Sequence, residues 1–133
     1  MVVEVMRGPV VEARHVVHAV AVREGRVEEA FGDPQLVSFL RSSAKPIQAL
    51  PVVHARPDLD DEEIALMCAS HLAAPEQLAV VRRLLADAPA REGELECGTD
   101  ETRTEHNCSG KHAGLLALCR AEGWPSAGYR LAG

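Results

Sequence analysis

The stretch Arg26-Val27-Glu28-Glu29-Ala30-Phe31-Gly32-Asp33-Pro34 divides the sequence into two kinds of pattern. Up to Phe31, residues 2–7, 15–23 and 26–31 are short Val-rich runs separated by Gly8-Pro9 and Glu24-Gly25, the punctuation of strands joined by tight turns. Beyond Pro34 the apolar residues recur at helical spacing over about 43–53, 60–69, 75–88 and 110–122. Strands followed by helices predict an α+β fold, an antiparallel β-meander and then about four helices. In the run 15–23, Val17, Ala19 and Ala21 point one way and Val16, Val20 and Val22 the other. A strand apolar on both faces is expected at the centre of a sheet.

The helical segments carry their own start signals. Asp60-Asp61-Glu62-Glu63 has the spacing of a capping box, and Pro75 suits the first turn of the third helix. That helix sets Leu78, Val81, Leu84 and Leu85 on one stripe against Arg82 and Arg83. No repeat, low-complexity tract or linker divides the chain, so residues 1–133 are expected to form a single domain. The chain stops at Tyr129-Arg130-Leu131-Ala132-Gly133, with no strand returning to the opening sheet, so this domain is expected to be incomplete.

Composition narrows the function. Aromatic residues make up 3%, too few for a base-stacking platform, and the net charge of -6 opposes a phosphate backbone, so nucleic acid is not an expected partner. No apolar run approaches the roughly 20 residues of a membrane helix, and Met1 to Arg7 lack the features of a signal peptide. No membrane partner and a cytoplasmic location are the expectations. Cys68, Cys97, Cys108 and Cys119 form no Cys-x-x-Cys pair, which predicts reduced thiols, with Cys68 and Cys119 buried in apolar helices.

Three constellations carry chemistry. In Arg41-Ser42-Ser43-Ala44-Lys45-Pro46 a hydroxyl precedes an amine by three residues at a helix start, so Ser42 and Lys45 share a face. A serine attacks a carbonyl only when a base takes its proton, and a buried lysine can be that base. The plain alternative is a serine N-cap, a task for which Ser43 is also available. Arg41 adds a cation suited to a carboxylate. The second constellation, Cys68-Ala69-Ser70-His71, sets Ser70 and His71 where an apolar helix ends, either at a cleft edge or as a simple helix terminus.

The third is His106-Asn107-Cys108-Ser109-Gly110-Lys111-His112-Ala113-Gly114. It lacks the order of a phosphate loop and the paired spacing of a structural zinc site, yet it is dense in donors, ligands and glycines. His15, His18 and His54 read as structural or solvated.

Arg41 to Pro51, Cys68 to His71 and Asn107 to Gly114, in that order, resemble the asparaginase II family of amidohydrolases. The resemblance implies a fold like that of serine β-lactamases and glutaminases, and hydrolysis of L-asparagine to L-aspartate and ammonia. It implies acyl transfer through Ser42 activated by Lys45, a second pair built on Ser70, and Arg41, His71, Asn107, Gly110 and His112 on the substrate side. It also implies zinc held in part by Cys108 and Lys111, with no organic cofactor. The lysine partner of the second serine and a further cysteine ligand are expected outside these residues, so Lys45 serves both serines or the site is half-built. Exposed apolar surface then favours a homo-oligomer. The alternatives are a Ser-Lys hydrolase of glutamine or a β-lactam, and an inactive family member acting as a structural or binding module.

Overall fold

The computed structural model of the chain describes residues 1–130; Leu131 to Gly133, which the single-domain expectation included, lie outside the described residues. The chain forms two compact units, Met1–Phe39 and a second that begins at Leu40.

The first unit is two hairpins. Strand β1 (Val2–Arg7) pairs antiparallel with β2 (Val10–Val16), and β3 (Ala19–Arg23) pairs antiparallel with β4 (Arg26–Phe31). The second hairpin turns through Glu24 and Gly25, both at positive φ (50° and 76°), the twist that lets two strands continue side by side. The expected meander with a central strand over 15–23 is not what forms. That run breaks at Val17-His18, leaving two separate two-stranded sheets whose valines, Val16, Val20 and Val22 among them, are exposed. The break is held by residues distant in sequence. The Val17 N–H bonds the Met1 carbonyl (2.9 Å), and His18 turns aside so that its Nδ1 accepts the Asp33 N–H (2.8 Å). Apolar residues on both faces did not imply burial on both faces, because β-branched residues also suit exposed pleats.

In the second unit a 3₁₀ turn (Arg41–Ala44) runs into α1 (Lys45–Ala55), followed by α2 (Asp61–Cys68), α3 (Pro75–Asp87) and α4 (Ser109–Glu122). The α+β class and four helices agree with the sequence. The capping box is present: Asp60 Oδ1 accepts the Glu63 N–H (2.9 Å), and Glu63 Oε2 accepts the Asp60 N–H (3.0 Å). Helix α3 buries Val80, Val81, Leu84 and Leu85, leaving Arg82 and Arg83 exposed as predicted and Leu78 half-buried. Helix α4 packs against α1, α2 and α3. Its partners Val52, Met67, Val81 and Leu84 are all buried with Leu95 and Leu116. Each such side chain contributes about 1.5–3 kcal/mol by leaving water.

Two glycines let α4 come this close. A Cβ at Gly110 would sit 2.8 Å from Leu66 Cγ and 2.9 Å from the Leu66 carbonyl oxygen, and one at Gly114 would collide with Met67 Sδ. The approach carries the end of α2, and the residues after it, onto the first turn of α4.

Candidate active site

Lys45 is the pivot. Its backbone N–H bonds the Ser42 carbonyl, so the two residues stand one turn apart as their spacing predicts. The side chain, 2% exposed, does not reach for Ser42. Its amine donates to the Ala69 carbonyl (2.6 Å) and to Ser70 Oγ (2.8 Å), across the gap from α1 to the end of α2. Two of the three ammonium protons are thereby satisfied, which a buried charge requires. Ser42 is exposed. Ser43, the other serine available for the cap, instead donates its hydroxyl to the Leu40 carbonyl. Arg41 is exposed and holds a left-handed backbone (φ 50°), a region that non-glycine residues seldom occupy.

Next to Ser70, His71 is fixed from three sides. Its N–H donates to the Asn107 carbonyl (3.2 Å), and its Nδ1 accepts the Ala73 N–H (3.1 Å). Because Nδ1 is an acceptor, the ring hydrogen lies on Nε2 and is donated to Ser109 Oγ (2.8 Å). Ser109 in turn donates to the Thr104 carbonyl (2.6 Å). Burial, and then the positive charges of Lys45 and His106, hold His71 below the ordinary histidine pKa, so the ring is neutral near pH 7. Thr104 is held by Glu92, whose Oε1 accepts the N–H groups of Arg103 (2.8 Å) and Thr104 (3.1 Å).

The third constellation opens α4. Asn107 is exposed and contributes its carbonyl to His71, whereas Gly110 is buried in the α2–α4 contact. His112 is buried with its Nδ1 2.7 Å from the Tyr129 hydroxyl, the two rings meeting edge to face. Burial, then Lys111, Arg130, His106 and Lys45, push the His112 pKa down to about 4. Burial likewise pushes Tyr129 up to about 12, so the phenol keeps its proton, donates it to Nδ1 and accepts the Glu96 N–H (2.9 Å). Ser109 had a sequence signal, since it lies inside the motif, but was not singled out. Tyr129 and Thr104 had none.

All four cysteines are free thiols; Cys119 is buried as expected, while Cys68 is half-buried. Cys108 and Lys111 stand half-buried at the N-cap and first turn of α4. Among the described residues no group of three His, Cys, Asp or Glu side chains gathers to hold a metal. One thiol and one amine fall short of the three or four donors of a zinc site, so the side chains at hand do not by themselves fit that ion. Among the described residues no helix is long and apolar enough to cross a membrane.

The buried Lys45 amine thus meets the Ser70 hydroxyl, and the buried His71 ring is fixed beside that serine. The family model described as L-asparaginase II matches residues 3–133, and the chain belongs to that family of asparaginase-like amidohydrolases. No curated protein matches it.

Proposed function

We propose that this chain supplies the nucleophile and base of an amidohydrolase that converts L-asparagine to L-aspartate and ammonia. The supporting observation is the 2.8 Å contact of the buried Lys45 amine with Ser70 Oγ. Once the Lys45 ammonium has released one proton to water, Ser70 Oγ attacks the side-chain amide carbon while its own proton passes to the Lys45 amine. Lys45 returns that proton to the departing nitrogen, ammonia leaves, and water then cleaves the acyl ester to release aspartate and restore Ser70. Ser42, one turn before Lys45, is the second serine of the reading, and the residue is exposed.

The charges acting on His112 are Lys111, Arg130, His106 and Lys45, all of one sign. A field of that sign suits the α-carboxylate of an amino-acid amide, with Arg41, Asn107 and His112 on the substrate side and Gly110 supporting them from the helix contact. Cys108 and Lys111 would give zinc two of its donors, the rest coming from outside residues 1–130, and no step above depends on the metal. Association of copies is part of the reading, supported by exposed Ile47 and Leu50 on α1, and sedimentation velocity tests it.

The chemistry is tested by ammonia release from L-asparagine, with L-glutamine and a β-lactam as comparison substrates. Ser70→Ala and Lys45→Met are expected to lose about 10²–10⁴-fold in rate, the range of a base and its nucleophile. Full release by Ser70→Ala, or loss confined to Ser42→Ala, would move the nucleophile to Ser42.

A further inference from the structure

We infer that His71 is a positioning residue: through Ser109 and Thr104 it pins the segment after α2 to the first turn of α4, and so sets where Ser70 stands relative to Lys45. The inference rests on the reading of Ser70 as nucleophile. Ser70 needs such an anchor, because α2 has already ended at Ala69, whose backbone is extended (φ -102°, ψ 166°). No helical hydrogen bond holds Ser70, its side chain bonds Lys45, and the residue is exposed.

The neighbouring residue is the opposite case. His71 is 2% exposed and Ser109 0%, and every polar atom of the His71 ring and backbone N–H has a named partner. Those partners lie on three different segments: Ala73 just beyond it, Asn107 before α4, and Ser109 within α4. The next residues are held too, since Gln77 Oε1 accepts the N–H groups of Leu72 (3.0 Å) and Ala74 (3.1 Å). Serine 70 therefore lies between two fixed points, the Ala69 carbonyl on Lys45 and the His71 ring on Ser109. The depressed pKa of His71 supports this arrangement, because a neutral ring keeps one donor and one acceptor, which the Ala73–His71–Ser109–Thr104 chain requires.

A histidine that merely fills space would be replaced by any side chain of its volume. A positioning histidine needs an acceptor and a donor in the right places, and glutamine can supply the donor toward Ser109. The test uses isotopically labelled chain 1–133 and reads three signals by nuclear magnetic resonance: the ring-nitrogen shifts of His71, the exchange of its amide, and the exchange of the Lys45 ammonium protons. The wild type is expected to show a protonated Nε2 and a bare Nδ1. Ser109→Ala is expected to speed exchange at the His71 amide and at the Lys45 ammonium by about tenfold or more, while Val81 and Leu84 in α3 keep their rates. His71→Gln is expected to retain most of the protection that His71→Ala loses. Ser109→Cys, which keeps the volume with a weak donor, gives the same comparison if the alanine variant does not fold.

Unchanged exchange in Ser109→Ala, or a glutamine variant no better protected than the alanine one, overturns the inference. None of these signals needs turnover. Coupled exchange in a chain that releases no ammonia therefore sinks the proposed activity and supports the pinning, whereas uncoupled exchange in an active chain does the reverse.

Discussion

Replacing Gly110 by alanine separates its two expected roles. On an isolated helix the change stabilises by about 1 kcal/mol, because glycine is the poorer helix former. Here the new Cβ would meet Leu66 Cγ at 2.8 Å, Leu66 Cδ2 at 3.1 Å and the Leu66 carbonyl oxygen at 2.9 Å. Carbon atoms pack at about 3.5–4.0 Å, so each contact is short by several tenths of an ångström. Rotating the leucine would relieve the side-chain clashes but not the one with the carbonyl, which belongs to α2 itself. Helices α2 and α4 must part, loosening Leu66 and Met67, both buried. Overpacking of this kind costs about 1–3 kcal/mol. Set against the propensity gain of about 1 kcal/mol, the net expectation is a loss of up to about 2 kcal/mol. Urea unfolding followed by circular dichroism at 222 nm would measure it, with an unchanged slope showing that the native state stays compact. A variant more stable than the wild type by the full propensity gain of about 1 kcal/mol would refute the close approach and return Gly110 to the substrate side alone.

Two further outcomes follow from the site and its supports. His112 has a folded-state pKa of about 4 against an ordinary 6.5, so the unfolded chain binds its proton first. Its stabilising contribution is complete above about pH 6.5 and is lost as the pH falls toward 4, at a total of about 2 kcal/mol after allowance for partial solvent screening. Unfolding measured from pH 7.5 to 4 should decline over that window, and His112→Asn should flatten the decline, leaving the smaller part due to His71; an unaltered profile in the variant would assign it to other groups. At α2, Asp60→Ala removes the cap acceptor and should cost about 1 kcal/mol, while Asp60→Asn keeps that acceptor and loses only the largely exposed ion pair with Arg83 (2.8 Å), at under about 1 kcal/mol. Equal costs for the two variants in urea unfolding would show that the ion pair, not the cap, holds the helix start.

The helices were legible in the sequence because each has a local cause within a few residues. Asp60 and Glu63 cap one another, Pro75 opens α3, and its apolar stripe faces inward, all of which depend on spacing alone. The strands were legible as strands but not in their pairing. Whether 15–23 runs straight or breaks at His18 is decided by Asp33, fifteen positions away, through an acceptor on the histidine ring. The site divides in the same way. The motifs located Lys45, Ser70 and His71, but the Ser109 and Tyr129 partners come from packing of distant segments onto α4. Gly110 was expected on the substrate side, and the space it frees is filled by Leu66.

The choice of Ser70 over Ser42 by the Lys45 amine has a physical basis that spacing does not contain. Side chains on a helix lean toward its N-terminus, which would bring Lys45 back over Ser42 if nothing else attracted it. A buried ammonium, however, needs acceptors stronger than one exposed hydroxyl. Helix α2 supplies one at its end, where the last carbonyls have no partner within the helix and the dipole is negative. Ala69 is the residue in that position, and its carbonyl takes one proton of the amine at 2.6 Å. Ser70 follows it in the chain and so receives the next proton, while Ser42 lies on the solvent side of the turn. The attraction of an orphan helix terminus thus places an amine against the serine that immediately follows that helix, and the three-residue spacing to Ser42 only ensures that a second hydroxyl stands close by.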